Sequence, residues 1–227
     1  MAVRFIPVRS MALSTETAVA ADVAAQSPVA PPGNPALLGL PTFLPSGITL
    51  GLWLVGYLDT ATNAGGMIPV TFFSAGIFLL IAAVWASRLG QSAVAGIFGT
   101  FSAFWMSFAV LLLAIVNGWL GLSKDAAVAA TQIQNIQAAY VLSFLIVFAL
   151  LTLATLRLPM AFTLGFVLVT VTFAFVLAFV LTGAKLWATL GGITCFGFCA
   201  VFAYIFYDAM TQELGGKALT LGAPMQR

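Results

Sequence analysis

The sequence predicts an all-α membrane protein of six transmembrane helices, and two observations carry that prediction. Of 227 residues, 62% are hydrophobic and only 6% are charged, whereas soluble domains average about 25% charged. The apolar residues also fall into six runs of bilayer-crossing length, about 20 residues each. These runs are too long and too uninterrupted for the alternating strands of a barrel. Backbone groups in hydrocarbon must then be satisfied within each segment, which is the property of a helix.

Taken in order, residues 1–33 are rich in Ala, Pro, Ser, Thr and Val and end in Pro31, Pro32 and Gly33. No helical period is sustained, so a flexible tail is expected. A signal peptide needs a continuous apolar core behind Arg4 and Arg9, and Ser14, Thr15, Glu16 and Thr17 interrupt it. Met11 is an equally good start of translation. The six spans are read at residues 37–58, 67–86, 93–120, 136–156, 159–182 and 188–211. Residues 59–66 and 87–92 are short loops, and 121–135, with Lys124 and Asp125, is the longest. Leu156-Arg157-Leu158-Pro159 turns the fourth span into the fifth, with Pro159 suited to a first helical turn. Gly183-Ala184-Lys185 divides the last two. The expected organisation is a cytoplasmic tail at 1–33, a transmembrane domain at 34–214 and a cytoplasmic C-terminal tail at 215–227.

Orientation follows from basic residues in short loops. With a cytoplasmic N-terminus, Arg4, Arg9, Arg88, Arg157, Lys217 and Arg227 lie inside, and only Lys124 and Lys185 lie outside. Both termini are therefore expected on the cytoplasmic side of the cell membrane.

The residue inventory argues against an enzyme. There is no histidine, no pair of carboxylates at helical spacing inside a span, and no glycine-rich phosphate cradle between a strand and a helix. No catalytic residue, metal ligand or cofactor is assigned. Cys195 and Cys199 share one apolar run at helical spacing, which favours packing over a disulfide or metal. Basic residues are too few and scattered for a nucleic-acid footprint. The expected surroundings are membrane lipid.

Residues 34–43, Asn-Pro-Ala-Leu-Leu-Gly-Leu-Pro-Thr-Phe, resemble the Asn-Pro-Ala-Pro-Leu-Gly-Leu signature opening helix 1 of the acetate uptake transporter family, the succinate–acetate permeases. Leu37 stands where that family has a second proline. The resemblance continues through Trp85–Gln91, Phe98–Phe108 and Ala154-Thr155-Leu156-Arg157 to the glycine-containing tail Gly215–Gly222, where Thr220 replaces proline. It implies six-helix protomers in a homo-hexameric ring, each with its own pathway and a hydrophobic constriction. Carried onto this chain, the constriction is Phe43, Phe101 and Val169, or Leu168 if the register slips by one. The stripes Gly47/Gly51, Gly96/Gly99 and Gly192/Gly197 offer close-packing faces for such a ring.

The departures from the family pattern remove polar groups. Phe101 replaces a tyrosine, Ser46 and Gly47 replace paired threonines, Gly51 replaces an asparagine, and Leu79 and Ala86 replace glutamine and glutamate. An ion in so dry a constriction is costly to hold, and the neutral or proton-coupled form of a small carboxylic acid becomes the expected cargo.

Individual residues carry two readings each. Asn34 at the pathway mouth either contacts substrate or caps helix 1 ahead of Pro35, and the roles are compatible. Ser46 and Asp208 are the candidate polar pathway residues, Asp208 having interfacial solvation as its simpler role. Gly47 and Gly51 favour packing over substrate passage. Asn117 suits an interface beside Trp119, and Thr170 and Thr172 can bond back to their own helix. Three functions stay open: a channel or transporter for acetate and related short acids, extending to succinate; a facilitator of small neutral solutes such as amides, urea or ammonia; and a non-transporting scaffold or sensor.

Overall fold

Six helices in the computed structural model, which describes residues 33–59 and 64–226, are long and apolar enough to cross a bilayer. The expected tail at 1–33 lies outside the described residues except for Gly33. The helices are α1 (Ala36–Leu54), α2 (Phe78–Arg88), α3 (Ser92–Val116), α4 (Ala126–Thr155), α5 (Met160–Thr182) and α6 (Lys185–Glu213). A 3₁₀ turn at Ala64–Met67 and a π-helical segment at Val70–Ile77 precede α2 and complete the second span, Gly65–Arg88. No strand occurs among the described residues.

Several boundaries differ from expectation for local reasons. α1 stops at Leu54 rather than at 58 because Gly56 adopts φ +84°. The Gly56 amide then bonds Trp53 and the Tyr57 amide bonds Leu52, closing the helix in a Schellman motif. Gly118 ends α3 at Val116 in the same way, short of the expected 120. The largest correction is at α4. Most of the expected 121–135 loop is helix, because Asp125 Oδ1 accepts the amides of Ala127 and Val128 and starts the helix at Ala126. At 30 residues the helix is about 45 Å long, so its polar first turns stand beyond the apolar layer. There Gln134 donates to the last carbonyls of α5, at Val180 and Leu181.

The π segment was expected as ordinary helix, and serines hold it in place. Ser46 donates to the Val70 carbonyl at 2.9 Å and accepts the Ala75 amide at 3.3 Å. Ser74 donates to the Thr42 carbonyl and Ser102 to the Gly76 carbonyl, both at 2.7 Å. A wider helical turn redirects carbonyls sideways, and α1 and α3 supply hydroxyls to meet them.

Small residues set the bundle's spacing. A methyl at Gly47 would fall 2.6 Å from the Cys199 sulfur, and one at Gly192 would fall 2.5 Å from Val55, so α1 and α6 approach closely. Cys195 donates to the Gly47 carbonyl across the same contact, and both cysteines are free and buried. Gly197 receives Leu168 of α5 at 3.3 Å. The Gly47/Gly51 and Gly192/Gly197 stripes therefore serve contacts inside the protomer, whereas Gly99 meets only Ala83 at 3.9 Å. Gly96 alone among the six has nothing within 4 Å.

The segment after α6 folds back over the bundle. Asp208 Oδ1 accepts the Leu219 amide at 2.7 Å, Tyr204 donates to Thr220, Ala161 donates to Leu221, and Gln226 donates to Leu156. Residues 219–226 thus form a strap across the ends of α4, α5 and α6.

Candidate functional site

A cavity of about 540 Å³ opens at the end of the bundle where α1 and α3 begin and α6 ends. Its rim carries the polar groups Asn34, Gln91, Asp208, Gln212 and Glu213, with Leu158 of the α4–α5 turn and Leu221 of the strap. Deeper in, Leu40, Ile97, Phe98 and Phe162 make an apolar wall. Among the described residues, no lysine or arginine lines it.

Four phenylalanines converge at the inner end, one each from α1, α3, α5 and α6. Phe43 meets Phe101 edge to face at 5.3 Å between centroids and Phe202 at 5.5 Å. Phe166 meets Phe101 at 5.8 Å and Phe202 at 5.9 Å. All four rings line the cavity and all are nearly excluded from solvent. Glycines make room for these rings and their neighbours. A methyl at Gly165 would reach 2.9 Å from Phe202, and one at Gly39 would reach 2.7 Å from Phe98.

Against this geometry the expected site residues divide. Asn34, Phe43, Phe101 and Asp208 line the cavity. Asn34 also accepts the Ala36 amide at 3.0 Å, so capping and a position at the mouth coexist. Asp208 is not a solvated interfacial group: it is 4% exposed, with one oxygen on the Leu219 amide and the other accepting from Gln212 at 2.9 Å. Ser46 is buried and engaged with the π segment, outside the cavity lining. Val169 is buried one turn beyond Phe166 and Leu168 sits on Gly197; neither is in the cavity wall. Phe166 and Phe202 occupy the inner end instead. Thr170 bonds Thr152 of α4, while Thr172 bonds back to Leu168 and across to Thr194. Asn117 bonds back to Leu113.

Phe166, Phe202, Gln91 and Gln212 were not singled out from sequence. Gly165 beside Phe166, and the four-residue step from Phe198 to Phe202 on one helical face, are the local marks that could have pointed to the first two.

This arrangement defines a multi-pass membrane protein with a solute-sized cavity leading to an aromatic plug. The model of the GPR1/FUN34/yaaH family matches residues 17–216, and the chain belongs to that family, in agreement with the motif at residues 34–43. Among solved structures, the bacterial acetate channel SatP is similar in fold, with a TM-score of 0.70 and 21% sequence identity, over 84% of this chain and 99% of that one. No curated protein matches the chain.

Proposed function

We propose that this protein is a channel or transporter that passes acetate and related short monocarboxylic acids across the cell membrane in their neutral form. The observation that carries the reading is the cavity lining: hydrogen-bonding groups at the rim, four phenylalanines at the inner end and, among the described residues, no fixed cation between them. A carboxylate moving inward would shed water without receiving a compensating charge, and would approach Asp208 and Glu213 at the rim. A protonated acid meets neither obstacle. The family membership and the likeness to a bacterial acetate channel support the choice of acetate. The cavity opens at the same end as Arg88, Arg157 and Lys217, so by the basic-residue rule we place its mouth, and both termini, in the cytoplasm.

The test is tracer acetate flux into proteoliposomes of the purified protein, at constant total acetate and varied external pH. Uptake should rise about tenfold per pH unit lowered while most of the acid is ionised. Flux that follows the anion concentration and the membrane voltage overturns the neutral form. The dry inner end also suits uncharged solutes, so acetamide should compete with acetate and succinate should compete poorly. Absence of flux for every one of these solutes would leave the scaffold or sensor reading.

A further inference from the structure

Beyond the plug, two indole N–H groups are buried without an acceptor among the described residues. Trp105 is 1% exposed, and its Nε1–H has no hydrogen-bond partner among the described residues; the Nε1–H of Trp53 is in the same condition. Buried donors are paired in the great majority of cases, and each exception calls for a physical reason. The surroundings supply no protein oxygen to either. Trp105 stands among the rings of Phe43 (6.0 Å), Phe104 (4.8 Å) and Phe108 (6.4 Å), and Trp53 packs on Phe108 at 6.3 Å. The nearest hydroxyl in sequence, Ser107, is already engaged with Ala103, Phe104 and Tyr140.

Their position in the fold is informative. Phe101, Trp105, Phe108 and Leu112 recur along one face of α3 at helical spacing, and Trp53 of α1 packs on Phe108 of that face. Phe101 of the plug begins this stripe, and Trp105 and then Trp53 follow it away from the cavity mouth.

We infer that Trp105, followed by Trp53, forms a solute-binding subsite on the far side of the plug, where an indole N–H donates to a carboxyl or carbonyl oxygen of the passing solute. The inference rests on the proposed transport of small acids and adds a hydrogen-bond donor beyond the phenylalanines, whose rings offer none. An oxygen that has lost its water at the phenylalanines regains a donor there. The subsite favours acids and amides, which present an acceptor oxygen, over ammonium, which presents only donors.

Two measurements on the full-length protein test it. In proteoliposomes, Trp105→Phe keeps an aromatic ring and removes the N–H. The half-saturating acetate concentration should rise about three- to tenfold, the worth of one neutral hydrogen bond. Thermal stability in detergent should fall only by the packing lost where a phenyl ring replaces the buried indole, because no protein hydrogen bond is lost. Separately, replacing Trp85, Trp119 and Trp187 with Phe leaves the two buried indoles as the sole indole N–H resonances. Acetate should shift at least one of them downfield. An unmoved pair of resonances, or an unchanged half-saturation in Trp105→Phe, overturns the subsite even if acetate flux is present. Shifted resonances without acetate flux would instead support the subsite and overturn the transport reading.

Discussion

Phe43 shows how much one side chain decides here. It meets Phe101, Phe202 and Trp105 edge to face and Phe198 at a tilt, so rings of α3 and α6 lock around it. Each ring in the plug is thus both a barrier and a packing element. Phe43→Ala should open the inner end of the cavity and raise acetate flux several-fold, while admitting propionate and butyrate in proportion. The same substitution removes a buried ring, which costs about 3–5 kcal/mol in a well-packed core, and thermal melting in detergent should fall accordingly. Unchanged flux and selectivity in an assembled variant would remove Phe43 from the pathway. The helix 1 motif brought Phe43 and, through the resemblance, Phe101 into view from sequence. Phe166 and Phe202 were not legible, because 20 phenylalanines populate this chain and many recur at helical spacing. Which of them meet at one point depends on how the four helices are arranged, which no single segment encodes. Asp208 illustrates the converse: its place near the end of a span suggested contact with water, whereas the returning strap covers it with the Leu219 amide.

At the scale of elements, the π segment Val70–Ile77 is the least regular part of the bundle, and its irregularity is matched by neighbours. Ser46 makes two bonds across a helix contact, and Ser74 and Ser102 make one each. Ser46→Ala would leave the Val70 carbonyl without its hydroxyl donor and the Ala75 amide without its hydroxyl acceptor, a loss of about 1–3 kcal/mol. A lower melting temperature in detergent for Ser46→Ala, with Ser102→Ala adding a further drop, is the expected outcome. Melting curves that overlay the parent's would show that the serines do not hold this segment. Nothing in Val-Thr-Phe-Phe-Ser-Ala-Gly-Ile distinguishes a π turn from an α turn locally, so this feature could not be read from sequence. The number of spans could, because bilayer thickness imposes a length on every apolar run. The start of α4 could not: Thr131, Gln132, Gln134 and Asn135 are polar enough to read as loop, yet the Asp125 cap and the α5 carbonyls satisfy the segment as helix.

For the whole molecule, the outward surface remains to be covered. Ile146, Leu150 and Leu153 of α4 are more than half exposed, as is Phe73 of the π segment, and Leu80, Ile81 and Val84 of α2 are nearly so. Lipid satisfies such faces, and so does a second copy of the chain. The glycine stripes first read as ring contacts are mostly used within the protomer, so the hexamer rests on the family resemblance, with Gly96 as the small residue left open on α3. We expect light scattering, corrected for bound detergent, to give six times the 23.7 kDa chain mass; a stable particle of one chain would overturn the ring. The cavity, the plug and the buried indole N–H groups are built from residues of a single chain, and we expect a pathway made from them to work without neighbours. Acetate flux per chain should therefore be the same in assembled rings and in chains reconstituted at one per vesicle, once orientation is counted. A loss of flux in single chains would place part of the pathway between protomers, where the exposed apolar faces meet.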